Sequence, residues 1–566
     1  MNSLVLAVFS FAAYIIAYNT YGRFLADKIF KLDSSCITPA HEFSDNLDFV
    51  PSRKEVLFGH HFTSIAGLGP IVGPAIAVIW GWLPAVLWVL IGSIFMGAVH
   101  DFGSLVLSMR AQGRSIGDIT ADLINPRVRT LFMIIIFFEL WLVVAVFALI
   151  IALLFDMYPE SVISIWSQVP IAIWLGWMVY RKGFKPFWPS IFAVFLLYVM
   201  IIIGSYFPVK LPAVGMFTPV MLWMVALFLI NSFISSTLPV HFLLQPRDYI
   251  NSHQLFIILI LMTLGTVVGH PQIIAPAVAL GPAGAPPMWP FLFVIIACGA
   301  ISGFHSIVSS GTSAKQLDCE SDAKLIGYGS MLTEGMLSIL VIVAVTAGIG
   351  MKYISSDGSV LTGSKAFATH YSSWAAAEGL TSKINAFVVG AANLIETYGI
   401  PHRIGLTVMG VFLVSFASTT LDTATRLQRY IVSEFSKAQN ISFFQNRYAA
   451  TSVAVITAAA LAFYDGSGKG ALKLWPLFGT VNQLLAALAL LLLTVYFVRS
   501  KKPVLISLIP FLFMVVMTGW AMILNIGKYY STSNWLLFII GSIVFVLEVW
   551  MIIESVVVLR KLVKDT

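Results

Sequence analysis

Charge is what this sequence has least of. Of its 566 residues only 10% are Asp, Glu, Lys or Arg, while 59% are hydrophobic. A soluble domain carries about 25% charged residues, so a single water-exposed globule is excluded and a chain that crosses a membrane many times is left. Cysteine is scarce too. Cys36, Cys298 and Cys319 stand apart, without the spacing of a metal site. There is no phosphate-binding P-loop, no HExxH, and no GxSxG in a strand–turn–helix setting. No polar stretch is long enough for a soluble catalytic or signalling domain. These absences speak against an enzyme or a sensor and call for no cofactor or metal. The net charge of +7 then belongs to loops, not to nucleic-acid binding.

What is present is apolar sequence in runs near the ~20 residues that span a bilayer. The first, beginning MNSLVLAVFSFAAYIIAY, has no basic segment before it and no small-residue cleavage site, and is expected to be a retained span. Counting from it, the runs number about fifteen; they include 59–81, 288–310, 403–425, 446–465 and 473–498. Basic residues alternate from one connection to the next. Arg23, Lys28, Lys31, Arg53 and Lys54 follow the first run, Arg110, Arg114, Arg127 and Arg129 come two runs later, and Arg181, Lys182 and Lys185 two runs after that. Cytoplasmic loops carry such an excess, so the N-terminus is expected outside and the C-terminus inside. The alternation holds only if 383–398 does not cross, which makes 352–402 an external excursion with a short or re-entrant helix.

One run is unlike the others. Gly59–Ala75 reads GHHFTSIAGLGPIVGPA, with Gly67, Gly69, Pro70, Gly73 and Pro74 in its middle. Glycine costs about 1 kcal/mol in a helix interior and proline about 3. Non-helical backbone survives at membrane depth only where protein buries it or it lines a cavity. A broken helix is expected. Setting the first span aside, five spans (59–206) begin inside and five (218–425) begin outside. The first of the second set is also interrupted, at Asn231–His241, by Pro239 and five hydroxyl or amide side chains. Two interrupted segments in matching positions of inverted halves point to a transporter site near the midplane. The expected fold is an all-α polytopic membrane protein with a ten-helix 5+5 inverted-repeat core. Its parts are 1–58 (peripheral span and cytoplasmic connection), 59–206 and 207–425 (the two halves) and 426–566 (peripheral spans).

Five stretches carry a family likeness: FGHHFTSIAGLGPIVGPA (58–75), LLQPRDYIN (243–251), SGFHSIVSSGTSAKQL (302–317), STTLDTATRLQRY (418–430) and WPLFGTVNQLLAALAL (475–490). In them the chain resembles the carbon-starvation protein A family of prokaryotic membrane transporters. The resemblance implies import of small peptides during nutrient limitation through the cytoplasmic membrane, or proton-coupled uptake of pyruvate. It also implies a core like that of amino-acid/sodium transporters.

A peptide and pyruvate share a carboxylate, and the N-terminal ends of half-helices suit it through unpaired N–H groups and a positive dipole end. Ala66, Gly67, Leu68 and Gly69 at one break, and Asn231, Ser235, Ser236 and Thr237 at the other, are the candidate substrate-binding residues. Carbonyls freed by Pro70, Pro74 and Pro239 are candidates for a cation or a substrate ammonium. Ser306, Ser309, Ser310, Thr312 and Ser313 form a hydroxyl-rich wall that suits a sodium site, since the likeness makes this the eighth core span. Lys315 beside them offers a positive charge that favours proton coupling, or serves only as a positive-inside residue. Glu139, within an apolar run, is a candidate proton carrier or partner for a substrate amine. His60, His61 and His305 are candidate gate residues, because adjacent histidines do not face each other on a helix and no metal spacing accompanies them. Glu334, His100 and Asp101 are further intramembrane ionisable groups. Asp422 has Arg426 one turn on and is expected to pair with it. Asn482 and Gln483 are expected to bind neighbouring helices.

Overall fold

The computed structural model describes residues 1–355 and 358–564. It is built almost wholly of helices: α1 (Ser3–Phe30), α2 (Lys54–Ile65), α3 (Gly69–Trp80), α4 (Trp82–Arg110), α5 (Pro126–Met157), α6 (Ser161–Arg181), α7 (Phe187–Tyr206), α8 (Pro219–Thr237), α9 (Leu244–Gly269), α10 (Met288–Ile295), α11 (Gly303–Gly311), α12 (Glu320–Gly350), α13 (Leu380–Glu396), α14 (His402–Ala438), α15 (Arg447–Phe463), α16 (Trp475–Arg499), α17 (Leu505–Ser531) and α18 (Trp535–Lys561). Local chemistry sets several starts. Asn125 accepts from the Val128 amide and Thr218 from that of Met221, each followed by proline at the first helical position. The described strands, Tyr353–Ile354 and Val360–Leu361, pair antiparallel with Tyr353 opposite Leu361.

Among the described residues 12 helices are long and apolar enough to cross a membrane, up to 13 with the bent pair α2–α3 taken as one. Two of the about fifteen runs expected from hydropathy are not single long helices. Run 288–310 is two short helices, α10 and α11, joined through non-helical backbone. Run 446–465 is a helix of only 17 residues. Hydropathy registers apolar side chains and is blind to a chain that turns back among them.

Burial separates the helices into two kinds. The most apolar stretches of α12, α14 and α16 are 89% buried inside the protein, against 28% for α18 and 33% for α1. Exposed Val5, Phe9 and Ile16 on α1, Phe195 and Ile202 on α7, Ile509 and Val516 on α17 and Ile543 and Ile553 on α18 form the outer apolar face that a bilayer would cover. The place of α16 departs from expectation. It falls within 426–566, read as peripheral, yet it packs on α11, whose start is pressed so close that a Cβ on Gly303 would meet the Asn482 carbonyl. Asn482 accepts from the Ser302 hydroxyl (3.1 Å) and the Phe304 amide (2.9 Å), and Gln483 donates to the Phe293 carbonyl (2.9 Å). These are the interhelical ties expected of them.

Small residues allow the closest approaches in the centre. Gly348 on α12 and Gly390 on α13 meet backbone to backbone, and Gly265 on α9 lies against the Leu394 carbonyl. This draws α13, from the 352–402 excursion, in among α3, α9, α12 and α14.

Candidate functional site

The Gly/Pro-rich run is broken where expected. α2 stops at Ile65, Ala66–Leu68 leave the helix, and α3 restarts at Gly69 with a bend of 46°. At the start of α3 Pro70 has no N–H and the Ile71 and Val72 amides donate to the Leu68 carbonyl at 3.1 and 2.9 Å, so the first amides that have no intrahelical acceptor are reduced to those of Leu68 and Gly69. The proline-freed carbonyls are a different matter. Pro74 has no N–H for the Pro70 carbonyl, and the Ser338 hydroxyl of α12 donates to it instead at 3.2 Å. The glycines accommodate protein neighbours: a Cβ on Gly67 would meet Thr420 and Phe147, and one on Gly69 would meet Cys298.

Around the break is a cavity of about 30 Å³, lined by Gly67, Leu68, Gly69, Phe147, Cys298, Phe304, Leu380, Thr420, Trp475 and Phe478 among others. That is room for one water. Only Thr420, Cys298 and the Trp475 indole bring polar side-chain atoms to this lining. Leu380, Trp475 and Phe478 come from helix starts at one end of the molecule.

The second interruption differs from the first. Leu227–Ile234 is wound as a π-helix and Ser235–Thr237 continues it, so α8 is one unbroken span, and Pro239 lies in the turn beyond. The expectation of two broken helices is corrected here, because a proline just past a helix end terminates it without splitting it. The carbonyl that Pro239 frees, that of Ser235, accepts from Arg426 at 3.0 Å, as does Leu238 at 2.5 Å. Thr237 bonds back to Phe233 and Ile234, while Asn231 and Ser236 are buried, the Ser236 hydroxyl without a hydrogen-bond partner among the described residues. Both interrupted segments lie against α14, the first at Thr420 and Thr423, where the Ser64 and Thr423 hydroxyls are 3.0 Å apart, and the second at Arg426.

The hydroxyl wall divides into two parts. Ser306 and Ser310 donate to carbonyls of their own segment, Gly303 and Ser306, both at 2.7 Å. Ser309 is buried and without a hydrogen-bond partner among the described residues. Thr312 and Ser313, beyond the end of α11, hold the histidines instead: His60 Nε2 lies 2.9 Å from the Thr312 hydroxyl and His61 Nδ1 lies 2.7 Å from that of Ser313. His60 Nδ1 faces Asp248 at 2.6 Å. His305 lies elsewhere, between Asp101 and Glu334. Glu139 is fully buried on α5, and neither carboxylate oxygen has a hydrogen-bond partner among the described residues. Among those residues no three His, Cys, Asp or Glu side chains converge to hold a metal ion.

Below the break, toward the end that carries Arg426 and Arg429, the protein is closed by two ionic layers. In the first, Arg247 pairs with Asp422 and lies 3.7 Å from Asp248. The expected Asp422–Arg426 pair is corrected: Arg426 is turned to the Ser235 and Leu238 carbonyls and to Asp48. In the second layer Asp48 receives Arg426 at 2.7 Å and Arg429 at 2.8 Å. Asp48 sits on a strap, 45–52, bound by its Val50 and Ser52 amides to the carbonyls of Lys315 and Gln316. Burial would push the Asp48 carboxyl up, but Arg429 and Arg426 outweigh it and hold the group below the usual carboxylate range. Lys315 belongs to this layer and not to the cavity. Its ammonium lies 3.7 Å from the Tyr430 ring centre. Burial pushes it down, opposed by Glu434 and Asp48.

Sequence reading missed Arg247, Asp48, Thr420, Cys298 and Ser338. Arg247 was in plain view within LLQPRDYIN but counted only as a loop charge. For Ser338 no local signal exists, since its partner is 268 residues away.

A family model described as carbon starvation protein CstA matches residues 2–521. The chain belongs to that family. Among the family's members, the peptide transporter CstA of Campylobacter jejuni is 33% identical over 575 residues, covering 94% of this chain and 81% of that protein. The pyruvate/proton symporter BtsT of Escherichia coli is 31% identical over 603 residues, covering 94% and 82%. The peptide transporter CstA of Bacillus subtilis is 30% identical over 547 residues, covering 92% and 90%. Of solved structures, a manganese transporter of Eremococcus coleocola is similar over 92% of this chain and 99% of its own, at 14% identity and a TM-score of 0.47. Family membership accounts for the five long motifs together, and all five reach the cavity or the two ionic layers.

Proposed function

We propose that this chain is a secondary active transporter of alternating-access type that imports small peptides under carbon starvation, coupled to protons or sodium. Relatives named peptide transporter CstA, aligned over more than nine-tenths of the chain, support the substrate class. The observation that carries the mechanism is the break at Ala66–Leu68. It puts the Leu68 and Gly69 N–H groups beside a small cavity, with ionic layers closing one side and apolar side chains the other. In this reading a substrate carboxylate docks at the start of α3, where unpaired N–H groups and the helix dipole favour an anion. Residues 59–206 and 207–425 form two inverted halves of a ten-helix core, five spans in each with α10 and α11 counted together as one broken crossing, and α16 is packed into it. The basic end, with Asp48, Arg426 and Arg429, faces the cytoplasm of a prokaryotic cell, and the excursion 352–402 faces outward.

A second reading keeps the fold and takes pyruvate, with a proton, as the substrate. The name of the Escherichia coli relative favours it, and so does the cavity, whose lining carries no carboxylate to pair a peptide's ammonium. Uptake of labelled dipeptides and of labelled pyruvate into proteoliposomes, with and without a proton gradient, separates the two. Saturable dipeptide uptake is expected. Gradient-driven pyruvate uptake that excess peptide leaves untouched overturns the first reading in favour of the second. Absence of both rejects transport of either.

A further inference from the structure

One buried group of ionisable side chains has no part in the cavity or in the ionic layers. Asp101 on α4, His305 on α11 and Glu334 on α12 are all wholly enclosed. His305 Nδ1 lies 3.0 Å from an Asp101 oxygen, and His305 Nε2 lies 3.4 Å from a Glu334 oxygen. The second Asp101 oxygen faces His100 Nδ1 at 2.8 Å. Among the described residues no lysine or arginine forms an ion pair with either carboxylate, and both Glu334 oxygens and His305 Nε2 lack a hydrogen-bond partner.

The proton count of this group is informative. A neutral imidazole has one N–H and one lone pair, yet both ring nitrogens of His305 face a carboxyl oxygen. With His305 neutral and both carboxyls ionised, one contact sets a lone pair against a negative oxygen, and two uncompensated charges share one dry site. Such an arrangement is strongly disfavoured. One further proton, on the imidazole or on a carboxyl, makes both contacts attractive. That proton belongs to the group and not to a single residue. The other titratable groups around it are Tyr14 from α1, His61 from α2, His100 from α4, Glu139 from α5 and Cys298 from the turn before α11. None of them is a permanent cation.

The group is also tied to the break. Glu334 and Ser338 are one turn apart on α12, and Ser338 holds the Pro70 carbonyl at the start of α3. Phe304, next to His305, lines the cavity. We propose that Asp101, His305 and Glu334 together form the binding site of the transported proton, whose arrival and departure shift α11 and α12 against the broken helix. The coupling role rests on the transport reading above, but proton binding by the group does not.

Infrared difference spectra of the full chain, purified and free of substrate, between about pH 5 and about pH 8 read carboxyl and imidazole protonation directly. Glu139→Gln serves as the background, to remove its own buried carboxyl. A titrating carboxyl or imidazole signal is expected, and Glu334→Gln and Asp101→Asn are each expected to remove it or move its midpoint. If Glu334→Gln fails to fold, Glu334→Asp, which retracts the carboxyl, is expected to move the midpoint instead. In proteoliposomes, the ratio of proton-driven accumulation to gradient-free exchange of labelled peptide or pyruvate is expected to fall roughly tenfold or more in Glu334→Gln. A titration that none of these substitutions changes overturns the proposal, as does accumulation in Glu334→Gln that still follows the proton gradient. If the unaltered protein carries neither substrate, the transport reading fails while the infrared titration still decides whether the group binds a proton.

Discussion

The two sides of the cavity are closed by different chemistry. Toward the basic end lie two layers of ion pairs, Arg247 with Asp422 and Asp48 with Arg426 and Arg429. Toward the other end lie Leu380, Trp475 and Phe478. The ionic side is costly to disturb partially, because removing one member leaves its partner buried and uncompensated. The apolar side yields in proportion to the area exposed. A transporter whose closures differ in this way has one stiff gate and one graded gate. In the proposed orientation the stiff gate faces the cytoplasm.

Arg426→Ala gives the largest expected effect. Arg426 is fully buried and serves Asp48 and two carbonyls at once, so about 3–5 kcal/mol of stability should be lost. Thermal unfolding in detergent measures it. Phe478→Ala, the matched change on the apolar side, should cost about 1–2 kcal/mol. Equal losses would erase the distinction between the gates.

Gly69→Ala should cost about 1–3 kcal/mol through crowding against Cys298 and should stop uptake. Adding Cys298→Gly makes room, so stability should return. If uptake returns as well, the glycine is needed only for packing and not for a ligand at the start of α3.

A third comparison uses Cys298 as a reporter in a chain carrying Cys36→Ser and Cys319→Ser. Leu380→Ala should speed alkylation of Cys298 by a membrane-impermeant reagent roughly tenfold, while Asp48→Asn alone leaves Arg426 on the Ser235 and Leu238 carbonyls and should change it less than about twofold. The reverse order would mean that the ionic side is the loose one.

The last test concerns the excursion, away from both gates. His370 is buried between Tyr353 and Ser382, and burial pushes it down to about 4 from the ordinary 6.5. The unfolded segment therefore binds more protons than the folded one below about pH 6.5. The stability from a neutral His370 is complete above that pH and drains away as pH falls toward about 4, by on the order of 3 kcal/mol in full. Limited proteolysis of 352–402 at graded pH should show loosening that His370→Asn removes.

The sequence exposed the first break because glycine and proline act locally: their cost falls on the helix that contains them. It did not expose what completes the break. Ser338 and Arg426 reach carbonyls 268 and 191 residues away, and nothing in the intervening chain encodes those distances. Proline also misled where its position relative to a helix end mattered, since Pro239 ends α8 and does not split it. Asp422 was assigned the partner one helical turn away, although a residue that serves two carbonyls and another aspartate is not free to take it. The burial of α16 was hidden because an apolar helix reads alike whether lipid or protein surrounds it.

The apolar cover also carries a thermal signature. Wetting Leu380, Trp475 and Phe478 raises the heat capacity of the protein, and hydrophobic closure weakens on cooling. The opening of that side should therefore follow a curved temperature dependence and become relatively easier in the cold. The ion-paired side has no comparable apolar surface to hydrate, so temperature alone should shift the balance between the two open states.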